Sequence, residues 1–366
     1  MAGLDQCMDA VLRLLGEPGA TVILDEFQRL PEEHWELLAL ASQDARGRLL
    51  LCGSSLGVAK KVFERKSPLL GLLSAFHVDI ASLPDTIASL EPHLGPRDAL
   101  LWAPLARDPW ILAHLEPRGE PWRALASEGW RLAPVASGLV GEVFKEEERM
   151  LTRLYDAVLR ELALGTWSAK TLAKRLHDAG LLPTPHPSSV TGVLSVLADM
   201  GLVSKLRLWR TRGARAYYRH RSPLLSLLLY IDEETGGPPP SPSALKTRYA
   251  LELQFALGEL LAQHKGLRQA YTILPGGEDI DVVLLDRQGQ PRIAYEVKLG
   301  PLTPGDARTL ARRAEKLGIP LVGGVSLTEK PESPLLAEAL GPRELLEIAR
   351  SLATQPPVRP EDNMAA

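Results

Sequence analysis

The stretch from Gly276 to Lys298, GGEDIDVVLLDRQGQPRIAYEVK, has few ways to fold. Asp279, Asp281 and Val283 alternate with Ile280, Val282 and Leu284, the period of a strand with two different faces. Arg287-Gln288-Gly289-Gln290 supplies a polar, glycine-containing turn. Arg292 to Lys298 reads as the return strand, with Glu296 and Lys298 on one face. Pairing of the two strands brings two or three carboxylates and one ammonium to one end of the hairpin. Oxygen ligands of this kind suit Mg²⁺, which makes Asp281, Glu296 and Asp279 candidate metal ligands. A lysine beside them, Lys298, can orient water or offset charge on a phosphorane. The alternative is a charged outer face of a two-stranded ribbon, with Lys298 paired to Glu296 or Asp281 across the strands.

Asp281 followed by Glu296-Val297-Lys298 resembles the D…(D/E)-x-K signature of the restriction-endonuclease-like nucleases. The resemblance implies a further acid on the preceding helix, and Glu252 in Tyr249-Ala-Leu-Glu-Leu-Gln-Phe is the best match. Ile280 stands where the family carries proline. The surroundings read as a helix over 244–264, a strand over 268–273, the hairpin, a helix over 306–317 and a strand over 320–326. That α-β-β-β-α-β order is the one the resemblance implies for a domain spanning 244–354. The Pro/Gly-rich segment 233–243 is expected to be a stiff linker before it, and 355–366 a disordered tail.

At the other end of the chain, Ala20 to Leu30 is an apolar strand ending in two adjacent acids, Asp25 and Glu26. A buried strand with carboxylates at its C-terminal end is how a Walker B element presents an acid to Mg²⁺. Arg48 to Cys52 reads as a second strand, ending in Gly53-Ser54-Ser55, and Lys66-Ser67-Pro68-Leu69-Leu70-Gly71 and a short strand from Phe76 to Ile80 follow. Motifs of these three kinds in this order resemble the archaeal-type ATPases of the signal-transduction class of P-loop proteins. The resemblance implies ATP as cofactor, Asp25 assisting the metal, Glu26 positioning water and Ser54 as sensor. Two departures stand out. No G-x-x-x-x-G-K-(S/T) phosphate cradle occurs in the chain, and Ala106-Arg107-Asp108-Pro109 keeps only the proline of the family's Gly-Gly-x-Pro element. Residues 1–90 therefore read as a partial ATPase core, a truncated product, a degenerate relative or one half of a pair whose partner chain supplies the P-loop.

Residues 91–149 read as a helical connector, punctuated by prolines, with Trp102, Trp110, Trp122 and Trp130 as packing residues. Residues 150–232 read as a winged helix-turn-helix. Its third helix begins at Ser188, Ser189 and Thr191, and its wing carries Arg207, Arg210, Arg212 and Arg215. Residues 151–221 hold twelve Lys/Arg against four Asp/Glu, a local positive field in a chain whose net charge is −3. DNA is the partner such a field suits, with wing arginines on phosphates and the third helix in a major groove. A protein-docking role for the module, with its arginines paired to a neighbouring domain, is the competing reading.

The fold class expected is a multidomain α/β chain: partial P-loop sheet, winged helix and nuclease-like domain. A hydrophobic content of 45% and a charged content of 24% are ordinary for a soluble protein. No apolar run is long enough to span a bilayer, and no secretory signal pattern is seen. Two cysteines make no disulfide framework, which suits a cytoplasmic location.

Overall fold

The structure, a computed structural model, describes residues 3–53, 61–76, 78–146, 152–211, 216–234, 240–274 and 279–353. It is an α/β protein with twelve α-helices among the described residues and a mixed seven-stranded sheet. Two compact units divide the chain, one of residues 1–78 and 138–152, the other of 79–137 and 153–366.

In the smaller unit, helix α1 (Leu4–Leu15) leads to strand β1 (Thr21–Leu24), helix α2 (Glu32–Gln43) and strand β2 (Arg48–Leu51). The two strands pair in parallel, with Val22 opposite Leu49 and Ile23 opposite Leu50. One face packs on Met8, Leu15, Phe27, Trp35 and Leu38. On the other, the cross-strand neighbours Ile23 and Leu50 are 61% and 45% exposed, an unusual state for a parallel pair. Of the strand expected over 76–80, His77 lies outside the described residues, and among the others no strand is assigned; Phe76 and Val78 are exposed.

The larger unit begins with α3 (Leu83–Leu94), α4 (Pro96–Ala106) and the first part of α5 (Pro121–Glu146). Trp102 and Trp122 are buried there, but Trp130 is exposed and lies beneath the Arg131 guanidinium. Next come α6 (Arg153–Ala163), α7 (Ala169–Asp178), α8 (Ser188–Asp199), the strands β3 (Val203–Leu208) and β4 (Ala216–His220), and α9 (Pro223–Glu234). After the proline-rich segment, α10 (Pro242–Lys265) precedes β5 (Arg268–Ile273), β6 (Asp279–Leu285) and β7 (Pro291–Lys298). Helix α11 (Pro304–Leu317) then crosses to β8 (Val322–Ser326), and β9 (Glu338–Leu340) and α12 (Pro342–Ala353) complete the unit. The α-β-β-β-α-β order over 244–326 is therefore present.

The seven strands run β4-β3-β5-β6-β7-β8-β9. β3 continues the sheet past the linker by pairing in parallel with β5, and β7, β8 and β9 are parallel to one another. β6 is antiparallel to both its neighbours. A parallel β7–β8 pair needs a crossover, and α11 supplies it. One sheet face, with Val282, Leu284, Ile293 and Tyr295, packs under α10 and joins a core that reaches α3, α4, α9 and α12. The opposite face, with Ile280, Val283 and Ala294, packs on Leu310 and Ala314 of α11 and on Trp209. Trp167 stacks on Tyr217 at 5.2 Å, and across the linker Tyr217 meets Phe255 and Tyr271 in a mutually tilted cluster. Arg107, buried, clamps α10 through two bonds to Glu259 at 2.9 and 3.0 Å.

Candidate active site

The acids of the hairpin meet because β6 is irregular at Asp281. Val283 pairs with Ala270 of β5 and Ile280 with Thr272, so Asp281 and Val282 together face the single residue Tyr271. Such a bulge re-aims side chains, and here Ile280 and Val283 both reach the α11 face. On the other flank the β6–β7 ladder stops at Val282 opposite Tyr295. The next rung is replaced by a side chain: the Val297 N–H donates to Asp281 Oδ2 at 2.7 Å. This fixes the Asp281 carboxylate beside Glu296. Glu296 Oε1 pairs with Lys298 Nζ at 2.6 Å, and Lys298 Nζ lies 3.7 Å from Asp306 Oδ1 on the first turn of α11. Thr303 positions Asp306 through a reciprocal capping box, its hydroxyl accepting from the Asp306 N–H while Asp306 accepts from Thr303.

The electrostatics follow from this crowding. Burial pushes the Asp281 carboxyl up to about 8, and the Glu296 charge adds to the rise, while the Val297 N–H and Lys298 oppose it. Lys298 is raised above its ordinary value: burial works against its charge, but the bond to Glu296 and the charges of Glu296, Asp306 and Asp281 outweigh it. A pair of carboxylates short of positive charge is a place where a divalent cation replaces a proton.

Asp279 lies two residues before Asp281 on the same strand but is engaged elsewhere, its Oδ2 accepting from the Tyr271 hydroxyl and its carbonyl from Arg313 Nη1 at 2.8 Å. Glu252 is not gathered with the hairpin acids. It is 3% exposed and pairs with Arg219 of β4 at 3.1 Å, under the Phe255 ring. Its helix meets the hairpin through Gln254 instead, whose Nε2 donates to the Asp281 carbonyl at 2.9 Å. Among the described residues no three His, Cys, Asp or Glu side chains are disposed as a metal-ligand set. The two acids present still fit Mg²⁺, which binds through one or two carboxylates and completes its shell with water and substrate phosphate. Asp306 was missed by sequence reasoning; its signal was the Thr303-x-x-Asp306 capping pattern directly after the Glu-x-Lys strand.

The remaining expected site residues are scattered. In the smaller unit, Asp25 Oδ1 accepts from the Glu26 N–H at 3.0 Å, and Glu26 holds a left-handed backbone at φ 54°. Glu26 Oε2 accepts from Gln28 at 3.0 Å and pairs with Arg29 at 3.1 Å. Ser54, Arg212 and Arg215 lie outside the described residues. At the start of α8, Ser188 bonds the His186 ring at 2.8 Å, Ser189 meets Thr184 at 2.9 Å, and Thr191 donates to the Ser188 carbonyl at 3.1 Å. No Lys or Arg occurs along α8. Arg207 lies against Gly289 in the β6–β7 turn, and Arg210 stacks on Trp209 and donates to the Leu317 carbonyl at 3.1 Å. Arg219 and Arg221 pair with Glu252 and Asp79.

The chain matches no protein-family model and none of the curated proteins. No helix among the described residues is long and apolar enough to cross a membrane.

Proposed function

We propose that this chain is a DNA-associated protein related to the archaeal-type ATPases, and that its larger unit hydrolyses phosphodiester bonds with Mg²⁺. The observation that carries the reading is Asp281: a carboxylate set in a bulge, beside Glu296, with Lys298 within reach of the same acids. Asp281 and Glu296 would hold the cation, with Asp279 next along the strand. When bound, Mg²⁺ supplies charge to a non-bridging phosphate oxygen and lowers the pKa of a water. Lys298 keeps its proton and orients that water or offsets the charge of the phosphorane. Glu252 acts by fixing Arg219 rather than by touching substrate. ATP hydrolysis at Asp25 and Glu26 has no phosphate cradle in the sequence to support it, so that pair carries no hydrolytic role in this reading.

A second reading is favoured for the winged module. Arg207, Arg210, Arg219 and Arg221 are all applied to neighbouring parts of the same unit. The module then serves as a structural extension of the sheet, and its α8 hydroxyls bond locally. The test of the main reading is nicking of supercoiled plasmid by the full chain in Mg²⁺ or Mn²⁺. Wild type is expected to nick; Asp281→Asn and Lys298→Ala are expected to lose activity at least ~100-fold. Equal activity in all three, or none in wild type, overturns it.

A further inference from the structure

Helix α11 is laid across the acid-bearing end of the sheet by three contacts taken in order along it. Asp306, in its first turn, meets Lys298 of β7. Arg313, in its third, donates to the Asp279 carbonyl of β6. Leu317, in its last, accepts from Arg210 just beyond β3. The face turned to the sheet is Ala307, Leu310 and Ala314. On the side turned away stand Arg308, Arg312 and Lys316, all exposed. Their spacing of four residues makes one row with a rise of about 6 Å per step. No ion pair engages any of the three among the described residues, although Glu315 is exposed on the same helix.

We propose that Arg308, Arg312 and Lys316 form a phosphate-contacting track that holds the DNA backbone beside the Asp281–Glu296 pair. The proposal rests on the nuclease reading for the identity of the ligand and relocates the DNA contact from α8 to α11. Three features favour a polyanion. Arg308, Arg312 and Lys316 have no ion-pair partner among the described residues, they repeat along a line, and the line belongs to the element whose first turn touches Lys298. Contacts to phosphate confer no sequence preference and are strongly salt-dependent. Helix α8, with hydroxyls and no cation, lacks the means to supply that term.

The test is fluorescence anisotropy of a short labelled DNA duplex with the full chain in EDTA, titrated with KCl. The triple variant Arg308→Ala, Arg312→Ala, Lys316→Ala is compared with wild type and with Lys170→Ala, Lys174→Ala on α7. All five positions are exposed, so thermal melts are expected to coincide. The triple variant is expected to weaken binding at least ~10-fold at low salt and to reduce the salt slope by about 2 to 3, roughly 0.9 per lost contact. The α7 variant is expected to bind as wild type does. Unchanged affinity and slope in the triple variant, loss in the α7 variant instead, or no salt-sensitive binding by wild type overturns the track. Plasmid nicking separates this from the parent reading. Binding through the row with no nicking in Mg²⁺ removes the nuclease reading and leaves the track standing. Nicking and binding at wild-type levels by the triple variant remove the track alone.

Discussion

Asp281→Asn is the substitution that reads the candidate site most directly, because the effect has a sign fixed by pH. The folded protein raises the Asp281 pKa from 3.8 to about 8 through burial and the Glu296 charge. Between those values the folded state binds more protons than the unfolded one, so stability falls as pH rises through the window. A pKa difference of about four is worth on the order of 5 kcal/mol for a fully enclosed group. Asp281 keeps some contact with solvent, and screening brings the expectation to about 3 kcal/mol. Asparagine retains an acceptor for the Val297 N–H but cannot ionise. The two proteins should therefore differ least at pH 5, near the acid end of that window, where little of the effect has developed. By pH 9 the variant should be the more stable, its larger unit melting roughly 6–12 °C higher. The assay is thermal unfolding followed by circular dichroism at pH 5, 7 and 9. Adding MgCl₂ at pH 8 should raise the wild-type transition and leave the variant where it was, since the cation takes the place of the proton. A stability gap that does not change with pH refutes the reasoning, and a gap that grows toward acid inverts it.

Other substitutions probe the supports of the site. Arg219→Met should destabilise the larger unit by about 3 kcal/mol, because it strands the buried Glu252; the double variant Arg219→Met, Glu252→Met should recover most of that in denaturant unfolding. Thr303→Ala removes one half of the capping box and should cost about 1 kcal/mol by urea titration, with reduced plasmid nicking as Asp306 loses its anchor. Gly318→Ala places a side chain at φ +69° on the C-terminus of α11 and should cost about 1 kcal/mol in the same measurement.

Much of the larger unit was legible in the sequence, because alternation and turn chemistry act locally. The hairpin lies at 279–285 and 291–298, and the helix after it starts at Pro304 behind a Thr-x-x-Asp cap. The bulge at Asp281 was not legible, since a strand's period cannot reveal which residue opposite it is skipped. The fate of Glu252 was hidden for a related reason. It is set by Arg219, thirty-three residues away on a strand whose place in the sheet depends on tertiary pairing. The charge count over 151–221 was sound as arithmetic but silent on use, and several of those arginines are bound inside the unit. In the smaller unit the two apolar runs became strands as expected and pair with each other, while among the described residues from Phe76 to Ile80 no strand is assigned and Phe76 and Val78 are exposed.

The joined sheet makes β3 and β4 part of the candidate site's support. Tyr271 is the shared piece: its hydroxyl holds Asp279, and its ring packs edge-on against Tyr217 and Phe255. Tyr217 belongs to β4, the strand at the edge of the sheet, and stacks on Trp167 at the entrance to α7. A displacement of β4 relative to α10 would therefore move the residue that fixes Asp279, two positions from Asp281. A second connection runs through Arg210, which ties the end of β3 to the last turn of α11, whose first turn carries Asp306. Both routes end on the acids from opposite flanks, one through β5 and β6, the other along the helix. The aromatic cluster is buried and close-packed, so it transmits a shift rather than absorbing it. The acids are thus tied to β4 through Tyr271 and to the end of β3 through Arg210, so a shift in either strand would be carried to them.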